Sequence, residues 1–172
     1  MKIFKLTIVL ASFILLGNTA VAQKCKLKVD KKDAISGKEL KETKFVFVTD
    51  FNTLRFQKEG DQFYIYNHFH IWGENNNVVK KGQEFSLKLS NGELFKILVE
   101  EEVVGNTTVT GNLVITRWDT RCPISKEQII SISKNAPTGL STLNFSLGKG
   151  SSIEIKEKAG KTLSEYAMCL IQ

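Results

Sequence analysis

The run FYIYNHFHIW, residues 63–72, constrains the fold more than any other stretch of the chain. Successive side chains of a strand point to opposite faces, so Tyr64, Tyr66, His68, His70 and Trp72 share one face and Phe63, Ile65, Asn67, Phe69 and Ile71 the other. One face is greasy, the other aromatic with polar tips. Ten residues of period two read as one long strand rather than as a helix.

The neighbouring segments follow the same logic. KFVFVTD, residues 44–50, alternates, and TLRFQK turns through EGDQ into the long run. FSLKLS and ELFKILVEE flank Asn91-Gly92, the strongest short hairpin signal in the chain, for which a type I′ turn is expected. GNTTVTGNLVITRW, residues 105–118, is rich in Thr, Val and Ile and reads as one further strand. After Cys122-Pro123, read as loop, the pattern changes. Ser125 and Gln128 form a capping box ahead of Ile129, Ile130 and Ile132, and Asn135 and Pro137 end a short helix near 125–134. Leu140 to Leu147 and Ser152 to Lys156 read as strands joined at Gly148-Lys149-Gly150. Ala159, Leu163, Tyr166, Ala167 and Leu170 form one stripe of a closing helix near 157–171. The expectation is an α+β fold: a mainly antiparallel β-sheet, sandwich-like or strongly curved, with a short helix and a C-terminal helix packed on it.

The start of the chain has a separate purpose. Lys2 and Lys5 precede an apolar run from Leu6 to Leu16, and Ala20 and Ala22 have the spacing that signal peptidase reads. The run is too short to span a bilayer, which takes about 20 residues. Residues 1–22 therefore read as a cleaved signal peptide and 23–172 as a single globular domain, secreted or periplasmic, with no membrane span after cleavage. Gln23 and Lys24 separate the cut from Cys25, which disfavours a lipid anchor on that cysteine. Loss of Lys2 and Lys5 takes the formal charge from +6 to +4. The remaining lysines are scattered among acidic residues, with no clustered stripe of the kind nucleic acid requires.

Three cysteines in an exported chain imply one bridge and one free thiol, and three pairings are possible. Cys25 with Cys169 is the expected pair, because chain ends often lie close together and both otherwise lack an anchor. Four stretches, CKLKVDKKDAISGKELKET near the start, SLKLSNGELFKILVE, ISKEQIISI and the closing MCLIQ, give the chain a layout that resembles small exported proteins of unknown function from Bacteroidetes-type bacteria. The resemblance implies compartment and architecture only. Because the TRCP cysteine is not part of that pattern, it also favours the terminal pairing and leaves Cys122 free.

Rows of Tyr and Trp with polar tips stack on sugar rings or grip proteins, since they bury large area at small entropic loss. Tyr64, Tyr66, His68, His70 and Trp72 are therefore the candidate binding residues, with a glycan or a protein as partner. A central strand covered on both sides gives the same pattern, so the face matters only if it is uncovered. His68 and His70 are the only histidines. They could offer two metal ligands where zinc takes three or four, and Glu74, Asp61 and Cys122 are the candidates to complete a set. A Cys122–histidine dyad is the only cysteine-based nucleophile available. No GxSxG, HExxH, P-loop or dinucleotide fingerprint occurs. The sequence thus favours a non-catalytic binding or accessory protein without a cofactor, with a small metal- or cysteine-dependent hydrolase centred on His68 and His70 as the alternative.

Overall fold

The computed structural model describes residues 25, 27–144 and 149–172; the expected signal segment, residues 1–22, lies outside them. Among the described residues no helix is long and apolar enough to cross a membrane. The chain forms β1 (Val29–Lys32), β2 (Glu39–Glu42), β3 (Val46–Phe47), β4 (Asn52–Glu59), β5 (Gln62–Trp72), β6 (Val78–Val79), β7 (Glu84–Leu89) and β8 (Leu94–Leu98). It continues through β9 (Val103–Val104), β10 (Asn106–Thr110), β11 (Leu113–Ile124), α1 (Lys126–Lys134), β12 (Pro137–Asn144), β13 (Lys149–Glu154) and α2 (Glu157–Ile171). All pairings are antiparallel.

Three sheets result. A curled seven-stranded sheet runs β1-β2-β4-β5-β11-β10, with β3 also on β4; a four-stranded sheet runs β13-β12-β7-β8; β6 pairs with β9. The expected α+β architecture is therefore present, in its strongly curved form. Leu54, Phe56, Phe63, Ile65, Trp118 and Cys122 line the inner face of the large sheet and share one core with Phe85, Leu87, Leu89, Phe95 and Ile97 of the small one. The two helices close that core with Ile129 and Ile132 from α1 and Leu163, Ala167 and Leu170 from α2. Each of the buried Ile and Leu side chains among these contributes about 1.5–3 kcal/mol relative to exposure.

Turn chemistry explains both the agreements and the departures. In α1 the Ser125 hydroxyl accepts from the Gln128 amide while the Gln128 side chain accepts from the Ser125 amide, completing the expected box. At Asn91-Gly92 only the glycine takes positive φ, +87°, so the turn is not type I′. The Gly92 amide donates to the Leu89 carbonyl and the Leu89 amide to the Glu93 carbonyl, which makes a three-residue loop with glycine in the left-handed position. The segment 105–118 is not one strand: Gly111 at φ +60° folds it into the β10–β11 hairpin.

β11 then continues through Cys122-Pro123, which is strand rather than loop. The Arg121 carbonyl accepts from the Glu100 amide on the side away from β5, and Pro123, two residues on, turns its missing N–H the same way, so no rung to β5 is lost. Lys149 and Gly150 belong to β13 rather than to the expected join; Gly148 and the expected strand end at residues 145–147 lie outside the described residues. Cys25 and Cys169 are joined, their Cα atoms 5.6 Å apart, and Cys122 is free and buried.

Candidate functional site

β5 lies at the centre of the large sheet, between β4 and β11. Directly opposed residues of antiparallel strands share a face, so the register builds the outer surface row by row. Gln57, Tyr64 and Pro123 form one row; Arg55, Tyr66 and Arg121 the next; Thr53, His68 and Asp119 a third. His70 is opposite Arg117, and Trp72 opposite Ile115. All five candidate binding residues therefore do share one face. Their inner-face neighbours Phe63, Ile65 and Asn67 are buried, and none of the five joins the core.

The outer face divides into two halves. In the first, each guanidinium lies on a tyrosine ring. Arg121 stacks 3.7 Å over Tyr64 and reaches Glu59 at 3.2 Å and Glu100 at 3.6 Å. Arg55 sits 4.3 Å over Tyr66 and 4.8 Å from Phe45, and is paired with Glu42, which also holds Lys28 at 3.0 Å. Such stacks contribute roughly 0.5–2 kcal/mol each and hold the rings flat and fixed. Burial pushes the Tyr66 hydroxyl above the ordinary tyrosine range, so it stays protonated and able to donate.

The second half is a ladder of rings. His68 tilts against Phe45 and His70, His70 against Phe51 at 5.5 Å, and Trp72 meets the edge of His70 at 6.2 Å. Trp72 is 56% exposed and Phe51 43%, both against the half-buried His70, while Phe47, 71% exposed, lies on the same side opposite Thr53. His68 Nδ1 contacts Asp119 Oδ1, and this hydrogen bond holds the Asp119 carboxyl below its ordinary range. Burial first, then the charges of His68 and Arg117, keep His70 below the ordinary histidine value.

The catalytic constellations are less well served. Cys122 opposes Ile65 and so projects from the inner face, across the sheet from both histidines. Its burial pushes the thiol up to about 12, far from the thiolate that nucleophilic attack needs. A Cys122–histidine dyad is not assembled. Among the described residues no three His, Cys, Asp or Glu side chains are gathered as metal ligands. Asp61 occupies the β4–β5 turn at the far end of the strand, and Glu74 lies beyond Gly73.

Arg55, Arg121, Asp119, Phe45, Phe47 and Phe51 are the site residues that the sequence did not single out. The alternation of TLRFQ sets Arg55 apart from Leu54 and Phe56, and that of KFVFVTD puts Phe45 and Phe47 on one side; these were the available signals. No protein-family model matches the chain, and neither a curated protein nor a solved structure matches it.

Proposed function

We propose that this is an exported, non-catalytic binding or accessory protein that takes its partner on the outer face of β5. The observation that carries this reading is the contrast between the two faces of one strand: Phe63, Ile65 and Asn67 are buried, whereas Tyr64, Tyr66, His68 and His70 are half-buried and Trp72 is exposed. A contiguous exposed patch of this kind marks an interaction surface rather than an accident of packing.

Of a glycan and a protein, the charge balance favours a neutral glycan. Arg55 is paired with Glu42 and Arg121 with Glu59, and His68 is hydrogen-bonded to Asp119; Arg117, opposite His70, is in none of these pairs, so it is over the tyrosine half that a charged ligand would have to break contacts the face already makes. A polyhydroxyl chain can stack on the rings and hydrogen-bond to the edges of those same pairs. The signal segment expected at residues 1–22 and the resemblance in layout to small exported bacterial proteins support an activity outside the cytoplasm.

The test is affinity electrophoresis in gels containing soluble neutral glucans or mannans, comparing the native protein with a Phe51→Ala, Trp72→Ala double variant. Both side chains are exposed, so the thermal midpoint should hold while retardation weakens at least about tenfold. Equal retardation of native and variant protein would retire this face as the site.

A further inference from the structure

The two edges of the seven-stranded sheet differ in chemistry. β1 carries Asp30, Lys31 and Lys32, charges of the kind that guard an edge against strand addition. β10, Asn106-Thr107-Thr108-Val109-Thr110, has no charge and no proline, and all five residues are exposed. Its hairpin with β11 closes on Thr110 and Leu113 around Gly111 and Asn112. The closing pair of a two-residue hairpin is hydrogen-bonded, and bonded pairs alternate along the strand. Asn106, Thr108 and Thr110 thus direct their backbone groups to β11, whereas Thr107 and Val109 direct theirs outward. Among the described residues no backbone group meets these outward amides and carbonyls.

We propose that β10 pairs with β10 of a second copy of this chain, antiparallel, about a twofold axis at Thr108. Thr107 then exchanges both backbone hydrogen bonds with Val109 of the other copy, and Val109 with its Thr107. Thr108 faces its own counterpart at the intervening non-bonded position. Two outward residues on each strand, two positions apart, are what this register uses, with none left over. Water satisfies such groups singly, whereas an extended strand satisfies the whole row in register, and a second copy presents the same set at matching spacing.

Self-pairing also requires that no like charges oppose, and β10 has none. The charge in the part of β11 that pairs with β10, Arg117 opposite Asn106, falls roughly 20 Å from its mate by strand spacing and rise, beyond the screening length. The charged β1 edge discourages further growth, so the assembly closes at two rather than extending as a fibre. A twofold perpendicular to the sheet keeps both β5 outer faces on the same side, which presents two binding faces to one polymeric ligand.

The test uses engineered thiols, since Cys25 and Cys169 are bonded and Cys122 is fully buried. Opposed non-bonded residues have Cα atoms about 4.5 Å apart, within disulfide reach. Thr108→Cys should form a covalent dimer under mild oxidation at least tenfold faster than Asn106→Cys, whose thiols the register holds apart. In sedimentation velocity the native protein should show a concentration-dependent dimer that Thr108→Lys abolishes with no change in thermal midpoint. A native protein that stays monomeric at the highest attainable concentration, equal cross-linking of the two cysteine variants, or a Thr108→Lys protein that still dimerises would each overturn the proposal. None of these readouts involves a glycan, so they are independent of the function proposed for β5.

Discussion

At the scale of single residues the outer face is held in place by guanidinium groups. Arg55 and Arg121 each join a ring to a carboxylate, so the tyrosines beneath them are fixed before any ligand arrives. His70 gives this face a pH signature. Its folded-state pKa lies below the ordinary value through burial, His68 and Arg117, so the unfolded chain takes up the proton more readily. Stability is therefore complete above the ordinary histidine range and is lost as pH falls through it. Asp119, also held low, adds a further loss as pH falls through the carboxylate range. Thermal midpoints should drop between about pH 7 and pH 5, and His70→Phe, which keeps a ring between Phe51 and Trp72, should flatten that slope. The parity of Tyr64 to Trp72 was legible in the sequence because alternation needs no register. Arg121 and Asp119 were not, because which β11 residue lies beside Tyr66 or His68 is set by pairing across some fifty positions.

At the scale of elements, the best-read segments were those whose ends carry their own chemistry. Ser125 and Gln128 announced α1, and the stripe through Leu163, Ala167 and Leu170 announced α2. The segment 105–118 misled because its β-rich composition outweighed the Gly111-Asn112 turn within it, and Pro123 misled because a proline usually ends a strand. Neither fact fixes which side of a strand lacks a partner, and that is what let proline stay in β11.

α2 carries a less visible constraint at Gly160, whose Cα approaches the backbone of β12. A Cβ there would lie 2.2 Å from the Pro137 carbonyl oxygen, a rigid backbone atom. Gly160→Ala should therefore destabilise by roughly 1–3 kcal/mol, against the gain that alanine ordinarily brings to a helix. Chemical denaturation would show it as a lowered midpoint with unchanged slope. A stabilised variant would mean that α2 does not pack against β12 at that point.

At the scale of the whole molecule, one core serves all three sheets and both helices, and the Cys25–Cys169 bond ties the ends across a separation of 144 residues. Closing a loop of that length restricts the unfolded chain by up to about 5 kcal/mol on the chain-entropy model. Reduction should lower the denaturation midpoint markedly while leaving β5 and its outer face intact, since neither cysteine touches that strand. The molecule thus buries the inner side of its long strand at Phe63, Ile65 and Asn67 and leaves the outer side half-buried at Tyr64 to His70 and exposed at Trp72.

Tryptophan fluorescence tests that claim most directly, because the two indoles stand on opposite sides of the division. Trp118 is fully buried in the core and Trp72 is exposed on the outer face, so acrylamide quenching reports on Trp72. Titration with soluble neutral glucans and mannans should shield Trp72 from the quencher in a saturable way, and Trp72→Ala should abolish the response. Quenching that stays unchanged across the titration, or a response that persists in Trp72→Ala, would contradict the assignment of binding to this face.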